Sequence, residues 1–186
     1  MSNDIDKRAL PLDRVRRYLE PGPIVLVSSA WQGERNVMTL GWLTVMAFSP
    51  SRIGCIISAG TRTSELVQRS GECVINVPTT ALTNAVIGAG NSSGSALDKF
   101  AHFGLTPVPA TTVAAPLIEE CHAHVECRLV DDRLVEPYDF FIWEVVAAQA
   151  RPTPAYPETL HYTGDGVFMV AGEIIDRRDQ FLPQML

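Results

Sequence analysis

Short apolar runs broken by turn residues mark this chain as strand-rich rather than helical. A β-type run over 24–30 follows Pro21-Gly22-Pro23, and Gln32-Gly33-Glu34-Arg35 turns the chain into a second run over 36–48. Pro50 ends that run and 52–58 reads as the next strand. At 61–70 the period becomes helical, with Leu66 and Val67 as apolar contacts and Gly71 as the stop. A strand over 72–77 follows. Pro78 with Thr79-Thr80 then opens a second helix that ends at Gly88. Residues 90–94 read as a loop, 95–103 as a short helix stopped by Gly104, and 105–120, with three prolines, as an extended connection.

The longest strand candidates are 121–130 and 138–150. The first alternates strictly: His122, His124, Glu126 and Arg128 share one face, and Ala123, Val125, Cys127 and Leu129 the other. A Pro-rich stretch over 151–158 leads to a final strand at 166–170. There is no internal repeat and no β-α-β alternation, so the expected class is mainly β, an antiparallel β-barrel with peripheral helices. The domain is expected over 21–176, preceded by a leader with a possible helix at 1–20 and followed by a tail at 177–186.

Composition narrows the function classes. Hydrophobic residues make up 46% of the 186 and charged residues only 19%, below the roughly 25% usual for soluble domains. A chain so poor in charge is expected to oligomerise. The net charge is −6 and no Lys/Arg run occurs, which argues against a nucleic-acid or anionic-membrane surface. No apolar stretch reaches the roughly 18 residues of a membrane span. The polar, acidic start, Met1-Ser2-Asn3-Asp4-Ile5-Asp6, is the reverse of a signal peptide, so a cytoplasmic location is expected. Cys55, Cys73, Cys121 and Cys127 form no C-x-x-C pair and read as reduced core thiols.

Three polar clusters carry the candidate chemistry. Thr61-Arg62-Thr63-Ser64-Glu65 opens a helix after a strand, where unpaired N–H groups favour a phosphate. Arg62 adds a forked cation, and Thr63 or Ser64 adds a hydroxyl; an ordinary helix cap is the plainer reading. Asn36-Val37-Met38-Thr39 offers donors and acceptors suited to the edge of a heteroaromatic ring, with Trp42 three residues on. Lys99, behind the small-residue loop Gly90-Asn91-Ser92-Ser93-Gly94, is a lone cation.

Other motifs carry less. Gly88-Ala89-Gly90 is not a dinucleotide fingerprint, because position 93 is Ser and a helix, not a strand, precedes it. His122, His124 and Glu126 lack a third histidine at metal spacing and read as surface or interface residues, so no metal is expected. His161-Tyr162 beside Gly164-Asp165-Gly166 suits a cofactor rim. No nucleophile elbow or carboxylate pair is present, so no catalytic side chain is assigned and the chemistry falls to a cofactor.

Several fragments occur in order: Pro23-Ile24-Val25-Leu26-Val27-Ser28, Asn36-Val37-Met38-Thr39 with Trp42, Arg62-Thr63 before Glu65-Leu66-Val67, and Gly71-Glu72-Cys73-Val74-Ile75-Asn76-Val77-Pro78. Asp98-Lys99-Phe100, Gly104-Leu105-Thr106-Pro107 and Ala115-Pro116-Leu117-Ile118-Glu119-Glu120-Cys121 complete the set. Together they resemble the flavin reductase-like, flavoredoxin-type family over roughly residues 20–175. The resemblance implies an FMN-binding split β-barrel working as a homodimer, with each flavin near the subunit interface. It implies that Asn36, Val37, Met38 and Thr39 line the flavin with Trp42 beside it. The strand end from Cys55 to Ser58 would meet the ring, and Arg62, Thr63, Ser64, Ser93 and Lys99 would serve the phosphate end. His161 and Phe168 would form a rim.

The implied activity is an FMN-dependent NAD(P)H oxidoreductase passing electrons to free flavin, a partner monooxygenase or another acceptor. The alternative is a flavoredoxin-type electron carrier that does not use the nicotinamide directly. Phe140 and Trp143 are the expected apolar anchors of the dimer.

Overall fold

The computed structural model describes residues 22–183, so the leader expected at 1–20 and the last three residues of the tail lie outside the described residues. Seven strands form one antiparallel sheet: β1 (Val25–Trp31), β2 (Glu34–Leu40), β3 (Leu43–Phe48), β4 (Ser51–Ile56), β5 (Glu72–Val77), β8 (Ala123–Asp131) and β9 (Phe140–Ala150). Their order is β2-β1-β5-β8-β9-β4-β3. Two small pairs are added: β6 (Pro107–Val108) with β7 (Leu117–Ile118), and β10 (Leu160–Gly164) with β11 (Val167–Val170).

The run expected over 36–48 is two strands, not one. β2 pairs with β1 and β3 with β4, so consecutive strands stand at opposite ends of the sheet order. Only Gly41 and Trp42 separate them. A two-residue link spans no more than about 10 Å, whereas seven flat strands would set their edges roughly 29 Å apart. The sheet must therefore curl until its ends approach, and this makes the barrel. The interior follows: Val25, Val27, Leu40, Cys55, Cys127, Phe141 and Trp143, from strands across the whole order, share one buried cluster. The mainly β expectation holds.

The helices lie outside the sheet. In α1 (Arg62–Ser70), Thr61 caps the N-terminus by accepting from the Ser64 N–H, and Gly71 ends the helix in the left-handed region at φ 67°. A 3₁₀ turn, Thr80–Leu82, precedes α2 (Thr83–Gly90), which runs on past the expected stop at Gly88. Gly88 is a packing site instead: a Cβ there would lie 2.2 Å from the Phe103 ring. The expected helix over 95–103 shortens to α3 (Lys99–Phe103), because Asp98 accepts from the Phe100 and Ala101 N–H groups and sets the start. The expected strand over 138–150 begins at Phe140, after the one-turn α4 (Val135–Tyr138). β10 is an addition to the reading, its Leu160 carbonyl accepting from the Ile24 N–H at 2.7 Å. No described helix is long and apolar enough to cross a membrane.

Two expectations are corrected by burial. Trp143 is not an interface anchor: it is fully buried, stacked on Phe141 at 5.6 Å, and donates to Cys55 Sγ at 3.2 Å. Phe140 is half-buried, its ring against Gly54. The polar face of β8 is only partly a surface: Arg128 is exposed, but the residues before it are not. His122 and Glu126 are buried, and His124 is half-buried with Nδ1 2.9 Å from Asn76 Oδ1. A bulge between Glu126 and Cys127 interrupts the strict alternation.

Glu126 straps the 105–120 connection onto the sheet. Its carboxylate accepts from the Thr111 N–H at 3.0 Å, the Thr112 N–H at 2.6 Å and the Thr112 hydroxyl at 2.6 Å. Burial works to raise its pKa, but these bonds outweigh it and the group titrates below its ordinary 4.5. A depressed folded pKa means that this stabilisation is present above the ordinary carboxylate range and is lost as pH falls through the folded value. Glu126→Ala is therefore expected to cost about 1.5–3 kcal/mol at pH 7. Urea titrations at pH 7 and pH 3 should show the penalty shrinking in acid; an equal penalty at both pH values contradicts the strap.

Candidate functional site

A groove runs along the outside of the barrel where β2 ends, α1 begins and α2 ends. It has an apolar part of about 460 Å³ and a polar part of about 230 Å³, which share Met38, Thr39 and Gly90. The apolar part is lined by Leu40, Gly41, Trp42, Ile56, Ser58, Val86 and Ile87, with Tyr162, Gly166 and Phe168 of the β10–β11 hairpin. The polar part is lined by Asn36, Thr61, Arg62, Thr63, Ser92, Ser93, Gly94 and Lys99.

Local chemistry fixes each wall. Thr39 donates to the Val86 carbonyl at 2.6 Å and ties β2 to α2. Asn36 donates to Thr63 Oγ1 at 2.9 Å, joining β2 to the first turn of α1. The loop after α2 lies directly on Asn36, since a Cβ on Gly94 would fall 2.1 Å from Asn36 Oδ1. Tyr162 and Phe168 pack at 5.1 Å, and the Tyr162 hydroxyl accepts from the Gly166 N–H at 3.0 Å.

The polar part holds two cations in different states. Arg62 is compensated: its Nε donates to Glu34 Oε1 at 2.9 Å, and further ion pairs join it to Glu34 and Glu65. The Glu34 and then the Glu65 hydrogen bonds hold its pKa above the ordinary value. Lys99 is only 4% exposed, and its Nζ donates to the Ala89 carbonyl at 2.7 Å, in the last turn of α2. No ion pair among the described residues neutralises it, and burial lowers its pKa. A buried ammonium with one of three donors used is costly unless something anionic completes it.

Most of the sequence-derived residues meet here: Asn36, Met38, Thr39, Trp42, Ser58, Arg62, Thr63, Ser93, Lys99 and Phe168 line the groove. Val37, Cys55, Ser64 and His161 do not. Val37 and Cys55 are buried in the two main core clusters. Strand alternation turns Cys55 inward where Ile56 faces the groove, and burial pushes its thiol up to about 12. Ser64 is buried and accepts from Gln68 Nε2 at 2.9 Å. His161 has Nε2 2.8 Å from Thr159 Oγ1, while its neighbour Tyr162 takes the lining position.

Ile56 lay within the expected strand end 55–58 and Tyr162 within the expected rim, but neither was singled out as a lining residue, and Glu34 was read only as part of a turn. The same period-2 parity that groups Ile56 with Ser58 was the available signal for the first. His122 and His124 line a separate polar cavity with Glu119, and no group of three His, Cys, Asp or Glu among the described residues is arranged to hold a metal.

Such a groove has the shape and polarity to suit a planar molecule with an anionic tail. Arg62 and Lys99 are its only charged lining residues among the described residues. Comparison with known proteins agrees in kind. The flavin reductase like domain matches residues 16–170. The chain belongs to the flavin reductase-like domain family.

A relative in Escherichia coli K12, the uncharacterized protein YddH, is 33% identical over 179 residues, covering 88% of this chain and 94% of its own. Among solved structures, an FMN-binding domain of a flavin reductases-like enzyme from Shewanella baltica superposes with TM-score 0.79 at 29% identity, covering 91% of this chain and 96% of that one. A flavoredoxin from Methanosarcina acetivorans gives TM-score 0.81 over 97% of this chain and all of its own; at 22% identity it shows the shared split-barrel fold.

Gly94→Ala is expected to displace Asn36, break its bond to Thr63 and lower stability by about 1–3 kcal/mol. Thermal melts measure this, and a variant as stable as the wild type would show that the loop does not rest on Asn36.

Proposed function

We propose that the groove binds FMN and that the protein is an FMN-dependent NAD(P)H oxidoreductase. The observation that carries this reading is Lys99, a buried, uncompensated ammonium at the end of a groove whose other end is apolar and aromatic. The residues present fit the group. Lys99, Arg62 and the first-turn amides of α1 would take the phosphate, with hydroxyls of Thr61, Thr63, Ser92 and Ser93 nearby. Thr39, Ser58 and Asn91 supply polar groups in a mainly apolar slot, and Trp42, Ile56, Tyr162 and Phe168 supply its walls.

When bound, FMN supplies the redox chemistry, accepting a hydride from a nicotinamide and passing electrons to free flavin, a partner monooxygenase or another acceptor. The side chains of this chain orient the cofactor and exclude water, and positioning of that kind accounts for several kcal/mol of a reaction barrier. No acid–base residue is required of the groove.

Stopped-flow mixing of the FMN-loaded protein with NADH and with NADPH tests the activity. Rapid bleaching of the flavin absorbance with either is expected. A flavin that stays oxidised with both contradicts direct nicotinamide use and favours a flavoredoxin-type carrier.

Lys99→Met and Arg62→Ala are each expected to weaken FMN binding about ten- to a hundredfold. Loss of Arg62 also leaves Glu34 and Glu65 uncompensated beside the phosphate end. Riboflavin, which has no phosphate, should change little; equal losses for both flavins would contradict the clamp.

The protein is further proposed to be a homodimer. Edge strand β3 exposes Val45, Met46 and Phe48, the last 93% exposed, directly after the groove residue Trp42. An apolar sheet edge of this kind calls for cover. Phe48→Asp is expected to give a monomer by light scattering that also releases FMN. A wild-type monomer contradicts the dimer, and a monomeric variant that keeps its flavin contradicts the coupling.

A further inference from the structure

We infer that Glu34 and Glu65 make the polar end of the groove selective for a flavin ending in a single phosphate and exclude a flavin dinucleotide. The inference rests on the FMN reading above and concerns what lies beyond the phosphate.

Arg62 lines the polar cavity, whereas Glu34 and Glu65 do not. The guanidinium is thus a wall with the cavity on one side and two carboxylates on the other. Glu34 takes the Nε and Nη2 hydrogens along one edge, and Glu65, three residues along α1, takes Nη1. A forked contact of this kind fixes the plane of the group. The Arg62 side chain is 19% exposed, while Glu34 and Glu65 are 50% and 46% exposed, so the carboxylates face the solvent behind the wall. The nearby cation Arg35 does not offset them: it lies over the Phe100 ring at 5.2 Å and 3.8 Å from Asp98.

A monophosphate can end at Arg62 and Lys99. A dinucleotide must carry a second phosphate and an adenosine past that wall, into the region held by two carboxylates and through a cavity of only about 230 Å³. A carboxylate about 6 Å from the added phosphate costs about threefold in affinity in a water-like medium, and Glu34 and Glu65 together about tenfold. Because both carboxylates are half-exposed, salt should screen the effect.

Flavin-fluorescence titrations with FMN, FAD and riboflavin on the wild type and on the Glu34→Gln/Glu65→Gln double variant test this, at low and at high ionic strength. The wild type should bind FMN at least about tenfold tighter than FAD. The double variant should narrow that preference about tenfold, chiefly by gaining FAD affinity, and leave riboflavin within about twofold. Added salt should narrow the wild-type preference and leave the variant's unchanged. Far-UV circular dichroism checks folding, and either single variant serves, with about a threefold narrowing, if the double does not fold.

FMN bound without preference over FAD, or a preference unchanged in the folded variant, overturns the inference while leaving the cofactor reading in place. Failure to bind any flavin overturns both.

Discussion

An ammonium buried to 4% exposure with a single carbonyl partner among the described residues is the constraint around which this groove is organised. Burying a charge without an opposite charge is among the costlier things a fold can do. Here the cost is lessened by position. Ala89 lies in the last turn of α2, where the helix presents its negative end, so the helix supplies part of the counter-charge. The remaining donors face a cavity walled by hydroxyls and by the amide-rich first turn of α1. An anion in the cavity would satisfy them and supply the missing opposite charge.

The barrel places that cavity. Because Gly41 and Trp42 alone join the two edges of a seven-stranded sheet, the edges must meet beside them. The last residues of β2 and the end of β4 are thereby brought together, and Met38, Thr39, Trp42, Ile56 and Ser58 become neighbours. α1 leaves the end of β4 and α2 is pinned to β2 through Thr39 and Val86, so the start of one helix and the end of the other face each other across the polar part. The apolar slot and the polar pocket beside it thus come from one topological constraint.

Much of this was legible in the sequence because it rests on residue type. Small hydroxyls and lone cations next to glycines are rare in so apolar a chain, and the clusters at 36–39, 61–64 and 90–99 did converge. What was not legible depended on direction or distance. Cys55 and Ile56 are adjacent, and only strand parity tells which one meets the groove. His161 and Tyr162 differ in the same way. Glu34 read as a turn residue because its partner Arg62 lies 28 positions away. Trp143 looked like an interface residue because an apolar strand face reads the same whether it meets a partner or the barrel's own interior. The division of 36–48 into two strands follows from pairing partners, which no local pattern contains.

A crystal structure of the protein with FMN tests the central claim most directly. The account predicts the phosphate within hydrogen-bond distance of Lys99 Nζ and Arg62, with the ring system in the apolar part beside Trp42 and Phe168. A phosphate left in solvent, or a flavin seated in another cavity with Lys99 still bonded only to Ala89, would contradict it.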